Sequence, residues 1–172
     1  MGDVTLLIGG ARSGKSALAV EIGRRHDGDV VFVATAEPFD DDMRSRIARH
    51  RVDRPDWPVV EAPLDLGEAI AAAPSEALLL VDCLTVWVNN QLHHRGVVDA
   101  GGVANALVER SGSSVVITNE VGLGVHPETE LGRAYRDELG RINQSVAAIS
   151  MKTLLMVAGR AVRLDDPWKE LT

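Results

Sequence analysis

The chain holds a single cysteine, Cys83, among its 172 residues. One thiol excludes an intramolecular disulfide and a cysteine-built zinc cage. Long apolar runs are missing as well: none approaches the roughly 20 residues that a membrane-spanning helix needs. No basic segment followed by an apolar stretch marks a secretory leader at the N-terminus. The expectation is a chain with no membrane span, working in the reducing cytoplasm. Net positive charge is lacking too. At −7, the surface as a whole is not built to draw nucleic acid or an anionic membrane. Internal repeats, low-complexity tracts and interdomain linkers are absent. What is present, 172 residues with 45% hydrophobic and 25% charged side chains, suits one globular domain over 1–172. The last stretch, 165–172, reads as a surface tail that Trp168 would pin down.

Short apolar runs alternate with helical patterns along the chain. Val4–Ile8, Val30–Ala34, Leu78–Asp82, Val115–Thr118 and Thr153–Ala158 read as strands, with Val59-Val60 as a further short one. Lys15–Arg25, Asp40–Val52, Leu64–Ala72, Thr85–His94, Val103–Arg110 and Glu128–Ser150 read as helices, and Gly96–Gly102 as a flexible loop. A run such as Leu78-Leu79-Leu80-Val81 has no polar alternation, as expected of a strand buried on both faces. The pattern predicts an α/β fold, a mainly parallel sheet with helices on both sides. In such sheets ligands sit beyond the carboxyl ends of the strands. That places the candidate site at Gly9–Ser16, Thr35–Glu37, Asp82–Thr85 and Asn119–Gly122.

The first of these segments reads Gly9-Gly10-Ala11-Arg12-Ser13-Gly14-Lys15-Ser16, which fits the phosphate-binding pattern G-x-x-x-x-G-K-[ST] between a strand and a helix. Glycines let successive backbone N–H groups point inward at phosphate oxygens, and the helix N-terminus adds its positive end. Lys15 would reach the β- and γ-phosphates, and Ser16 would hold Mg²⁺. Asp82, closing its apolar run, suits a role in orienting the same ion; its alternative reading is a cap for the next helix. The fold expected is therefore a P-loop NTPase of the RecA-like kind.

Five of the fifteen arginines fall within 44–54: Arg44, Arg46, Arg49, Arg51 and Arg54. In an acidic chain this concentration suits a phosphate partner, since guanidinium contacts phosphate bidentately. Spacing alone equally allows a solvated helix with pairs such as Asp40–Arg44 and Asp42–Arg46. His50 lies inside the cluster, on one stripe with Met43 and Ile47. It reads either as a packed histidine or as a nucleophile kept neutral by its cationic neighbours. Thr118-Asn119-Glu120-Val121-Gly122 follows another strand. Asn119 and Glu120 would face the ligand, with Glu120 open between substrate contact, base, metal contact and turn residue. His93, His94 and His126 read as surface residues, and Trp57 and Trp87 as packing residues.

Together these segments resemble the bifunctional adenosylcobinamide kinase/adenosylcobinamide-phosphate guanylyltransferase family of cobalamin biosynthesis. The matching pieces are the phosphate loop, Val33-Ala34-Thr35-Ala36, Asp41-Asp42-Met43 with Arg46-Ile47, His50-Arg51 with Arg54-Pro55, Val81-Asp82-Cys83-Leu84-Thr85, Thr118–Gly122 and Gly140-Arg141-Ile142-Asn143-Gln144. They occur in the family order over about residues 4–158. The resemblance implies phosphorylation of adenosylcobinamide with ATP or GTP. GMP transfer from GTP would follow, through a guanylylated histidine at the position of His50. It carries nucleotide contacts over to Ala34, Thr35, Ala36, Arg51, Val52, Asp53, Arg54, Glu61 and Asp82, and it implies a trimer. Two departures stand out. The stretch from Arg54-Pro55 to Glu61 is one residue short of the family spacing, with Val where Thr is common, and Gly96–Gly112 is short and glycine-rich. Two other readings of the same residues remain: a simple small-molecule kinase with His50 structural, and a GTP-binding switch.

Overall fold

Every strand pairing of the sheet but the last is parallel. A computed structural model describes residues 2–39 and 41–168; within the helix Asp41–Asp53 the side chains of Asp42, Met43, Arg46, Arg49, His50 and Asp53 also lie outside the described set. In chain order the elements are β1 (Val4–Gly9), α1 (Lys15–Arg24), β2 (Val30–Ala34), α2 (Asp41–Asp53), β3 (Val59–Glu61), α3 (Leu66–Ala72), β4 (Leu78–Asp82), α4 (Leu84–His94), α5 (Ala100–Glu109), β5 (Ser114–Asn119), α6 (Glu130–Ile149), β6 (Lys152–Val157) and β7 (Arg160–Leu164). Among the described residues the sheet has seven strands, ordered β3-β2-β4-β5-β1-β6-β7, and only β6–β7 is antiparallel.

The continuous apolar runs are explained by what covers each face. In β4, Leu79 and Val81 point into a large cluster roofed by Leu66 and Ile70 of α3, Trp87 and Val88 of α4, Leu107 of α5 and Ile142 of α6. Leu78 and Leu80 point the other way, into a smaller cluster roofed by Ala19 of α1 together with Trp57. Successive side chains on a strand alternate faces, so a strand covered on both sides has no position for a polar residue. Gly23 of α1 lies against the Trp57 ring, where an added Cβ would meet a ring carbon at 2.5 Å. Trp57 and Trp87 are thus packing residues, as expected.

Helix ends are tied by identifiable groups. Thr129 Oγ1 accepts from Gly132 N at 3.1 Å and starts α6. The buried Arg110 guanidinium donates to the carbonyls of Ile70, Ala73, Pro74 and Ala77. It satisfies two acceptors at the end of α3, Ile70 and Ala73, and two in the segment that follows.

The structure departs from expectation in three places. Residues 100–102 belong to α5 and not to a loop: Asp99 Oδ1 accepts from Gly102 N at 2.9 Å and caps a helix whose first turn contains two glycines. A seventh strand, β7, returns along β6 through a hairpin at Ala158 and Gly159, with φ 50° and 72°. Among the described residues, 165–168 are exposed, and Trp168 is 74% exposed and pins nothing. Residues 169–172 lie outside the described set.

Candidate active site

At the carboxyl end of β1 the chain turns through residues 10–14 before α1 begins at Lys15. Two glycines are demanded here. A Cβ on Gly9 would lie 2.3 Å from the Met156 carbonyl oxygen, and Gly14 holds φ at 99°. Neighbouring backbone fixes the loop from outside: Gly159 N donates to Ser13 O at 3.0 Å and Glu120 N to Gly9 O at 3.3 Å. Lys15 is 6% exposed and folds back into the loop. Its Nζ donates to Gly9 O at 3.0 Å, Gly10 O at 2.6 Å and Ser13 Oγ at 3.3 Å. The ammonium thus occupies the concavity that the pattern assigns to phosphate. Burial lowers its pKa, an effect partly offset by Cys83 and Asp82.

Ser16 of α1 and Asp82 of β4 meet at a small cavity of about 190 Å³, which Phe32, Arg24 and Arg54 also line. A hydroxyl and a carboxylate are hard oxygen donors of the kind Mg²⁺ takes alongside phosphate and water. Among the described residues no cluster of three His, Cys, Asp or Glu side chains offers an all-protein metal cage. That donor set fits an ion completed by nucleotide phosphates.

A larger cavity of about 320 Å³ opens between α2 and the ends of β2, β3 and β4. Its walls are apolar (Phe32, Ala34, Ala36, Ile47, Val86), and Arg44, Arg51, Arg54, Glu61 and Asp82 ring it. Arg51 Nη2 donates to Glu61 Oε1 at 3.3 Å. The Arg54 guanidinium lies 4.3 Å over the Phe32 ring centroid, a cation–π contact. Burial lowers the Arg54 pKa, and the nearby Arg51 adds to this, while Asp82 opposes both. Phe32, Arg54 and Asp82 line both cavities, so the two are adjoining compartments beside the phosphate loop.

Of the residues picked from the sequence, Ala34, Ala36, Arg51, Arg54, Glu61 and Asp82 converge on this cavity. Thr35 does not present its side chain there. It is fully buried; its Oγ1 donates to Cys83 O at 2.8 Å and accepts from Cys83 N at 2.9 Å. Val52 is 83% exposed and turned to solvent. His50 and Asp53 belong to α2, and their side chains lie outside the described residues. So do Asp40 and the side chains of Asp42 and Arg46, and the described pair in this region is Arg44–Asp41 at 3.1 Å.

Asn119 acts through its backbone, its N–H on Thr85 Oγ1 at 2.8 Å and its carbonyl receiving Asn143 Nδ2 at 3.0 Å. Glu120 Oε1 accepts from Gly122 N at 2.5 Å, which makes it a turn residue in this conformation. His94 is not a free surface residue, because its Nε2 lies 3.0 Å from Glu37 Oε2. His126 Nδ1 contacts Arg136 Nη1 at 2.7 Å.

Several residues that organise the site had no role in the sequence reading. Buried Asn90 donates through Nδ2 to Thr35 O at 2.8 Å and Pro63 O at 3.1 Å. Buried Asn143 accepts from Thr118 Oγ1 at 2.7 Å. Their signal was an asparagine on the apolar face of a helix, a costly placement unless hydrogen-bonded. Cys83 beside the cavity has its thiol pKa pushed up to about 11, by burial first and by Asp82 next. Burial likewise holds the Tyr135 hydroxyl at about 12.

The family model described as cobinamide kinase / cobinamide phosphate guanyltransferase, CobU, matches residues 5–164. The chain belongs to the CobU family. It is 40% identical over 160 residues to a bifunctional adenosylcobalamin biosynthesis protein, CobP, of Pseudomonas aeruginosa, covering 90% of this chain and 92% of that one. It is 36% identical over 179 residues to the CobU protein of Escherichia coli K12, covering 92% and 98%. Among solved structures it resembles an ATPase of a bacterial type III secretion system, with a TM-score of 0.55 at 15% identity. That match covers 99% of this chain, which spans about half (53%) of the ATPase. A Pyrococcus horikoshii protein superposes with a TM-score of 0.54 at 9% identity, over 96% of this chain and 89% of that one. These structural likenesses establish the P-loop fold of this CobU-family chain and nothing about its substrates.

Proposed function

We propose that this CobU-family chain phosphorylates the aminopropanol hydroxyl of adenosylcobinamide with ATP or GTP. It then transfers GMP from GTP to that phosphate, releasing pyrophosphate and adenosyl-GDP-cobinamide. The observation that carries the reading is the pair of adjoining compartments: a phosphate loop that ends in Lys15, and an arginine-ringed apolar cavity under α2, joined at Asp82.

In the first reaction the loop N–H groups and Lys15 hold the β- and γ-phosphates. Ser16 and Asp82 would hold Mg²⁺, which when bound supplies charge neutralisation across those oxygens. Phosphoryl transfer needs positioning and electrostatics more than acid–base groups. In the second reaction an imidazole nitrogen of His50 attacks the α-phosphorus of GTP. A P–N bond forms, the bond to the bridging oxygen breaks, and pyrophosphate leaves. A phosphate oxygen of adenosylcobinamide phosphate then attacks the same phosphorus and the P–N bond breaks, restoring the neutral ring. Arg51 and Arg54 stabilise the charge on the transferring group.

The apolar cavity suits a purine, and Glu61 at its edge selects which one. Guanine presents N1–H and N2–H₂ donors side by side, which a carboxylate accepts, whereas adenine offers an acceptor at N1. The test is product formation. With Mg²⁺ and ATP, adenosylcobinamide should gain one phosphate by mass spectrometry, and addition of GTP should convert it to the GDP derivative. Phosphate without the GDP derivative would reduce the chain to a kinase.

A further inference from the structure

Two stripes along α4 and its C-terminal end tie down two connections of the sheet. Trp87 Nε1 and Gln91 Nε2 both donate to Leu64 O, at 2.8 and 2.7 Å, and Arg95 Nη2 pairs with Asp65 at 2.6 Å. Residues 87, 91 and 95 are spaced by four, so they lie on one helical stripe, and together they fix the link from β3 to α3. Asn90 and His94, also four apart, form the adjoining stripe. Asn90 bridges the two connections, donating to the Thr35 carbonyl and to Pro63 O of the β3–α3 link, while His94 binds Glu37. The Phe39 ring stacks on His94, with centroids 5.9 Å apart and planes at 21°, and meets His93 edge-on at 6.1 Å. This second stripe grips residues 35–39, the connection that leads from β2 into α2.

The connection also shapes the nucleotide cavity. Ala36 and Pro38 line it, and Arg44 of α2 donates from Nη1 to Pro38 O at 3.2 Å. The grip is partly sheltered: the His94 and Glu37 side chains are 35% and 25% exposed. The phosphate loop is anchored elsewhere, by Gly159 and Glu120, and among the described residues shares no bond with this grip.

We propose that Glu37, His94 and Phe39 are positioning residues that set where α2, and with it His50 and Arg51, stands over the cavity, so that they govern guanylyl transfer and leave phosphorylation almost untouched. The inference rests on the reading of His50 as the guanylyl carrier. None of the three touches the reacting atoms; each acts through the placement of α2. A displacement of about 1 Å at a reacting group costs up to roughly 100-fold in rate, so loss of the grip should be visible.

The test uses the full chain carrying His94→Ala, Glu37→Ala, both together, and the conservative His94→Gln. Both half-reactions are followed on each protein, with hydrogen exchange of the amides as a separate readout. The expected result is a fall in guanylyl-transfer kcat of about tenfold or more in either alanine variant, with the double variant no worse than the single ones. Phosphorylation kcat, measured at saturating ATP, should stay within about twofold, and His94→Gln, whose amide still reaches Glu37, should recover most of the loss. Exchange should quicken in 41–53 and stay unchanged in α1 and α6. Equal loss of both activities, or no loss of either, overturns the proposal. If the wild-type chain makes no GDP derivative, the carrier reading fails by itself, and the exchange of 41–53 still decides the grip: unchanged exchange in the variants refutes it.

Discussion

Replacing Lys15 by Met removes the one ammonium inside the phosphate loop and keeps the length of its stem. A unit phosphate charge about 4 Å away attracts that ammonium by about 4 kcal/mol at the effective dielectric of such sites. In the free protein the ammonium already bonds the Gly9 and Gly10 carbonyls and Ser13 Oγ, and nucleotide binding trades part of that for phosphate. The trade returns about 1 kcal/mol. The remaining 3 kcal/mol or so corresponds to a loss of about 10²-fold in the rate of phosphorylation. Stability should move little. The Gly9 carbonyl keeps Glu120 N as a partner and Gly10 is exposed, so urea unfolding should agree with wild type to about 1 kcal/mol. The assay is phosphorylation of adenosylcobinamide at saturating ATP beside a urea titration of each protein. A loss under about fivefold in a protein of unchanged stability would refute the placement of Lys15 on the transferring phosphates.

Arg110→Met, at a position 5% exposed, would remove the guanidinium from four carbonyls, of which Pro74 O keeps Ala77 N as a donor; a loss of about 3–4 kcal/mol in urea unfolding is expected, against under about 0.5 kcal/mol for Arg25→Met at an exposed pair. Glu61→Gln should lower the preference for GTP over ATP in the second reaction by roughly 10- to 100-fold, read by competition, because the carboxylate no longer accepts from both guanine donors. The Cys83 thiol, with its pKa up to about 11, stays protonated at neutral pH. Alkylation by iodoacetamide at pH 8 should therefore run at least about 100-fold slower than for a free thiol. The sign follows from the same shift: the rate rises about tenfold per pH unit until the thiolate dominates, and urea abolishes the protection.

The parallel sheet was legible because its strands are continuous apolar runs and its helices keep a 3.6-residue period; both patterns are local. β7 was not legible. Its sequence, Arg160-Ala161-Val162-Arg163-Leu164, is exposed at every position and so carries no burial pattern. Its turn uses Ala158 at positive φ, where Asn or Gly is the usual signal. The start of α5 was masked by Gly101 and Gly102, which read as loop although Asp99 caps the helix. At the site, the phosphate loop, Asp82 and the arginine cluster are contiguous motifs with a mechanism attached to each residue type. The grips of Asn90 and His94 on residues 35–37 join positions 55 and 57 apart in the chain, and no local spacing announces such a contact. Thr35 shows the converse, a residue inside a recognisable motif whose side chain serves the backbone of Cys83 and not the cavity.

The covalent carrier is the claim on which the two-step account depends. The protein is incubated with Mg²⁺ and GTP labelled on its α-phosphate, denatured, and examined for label on the chain. The account predicts acid-labile, base-stable label in the wild type, lost in His50→Asn and released as the GDP derivative by adenosylcobinamide phosphate. A folded chain that binds GTP and takes up no label, or label that persists in His50→Asn, would contradict it.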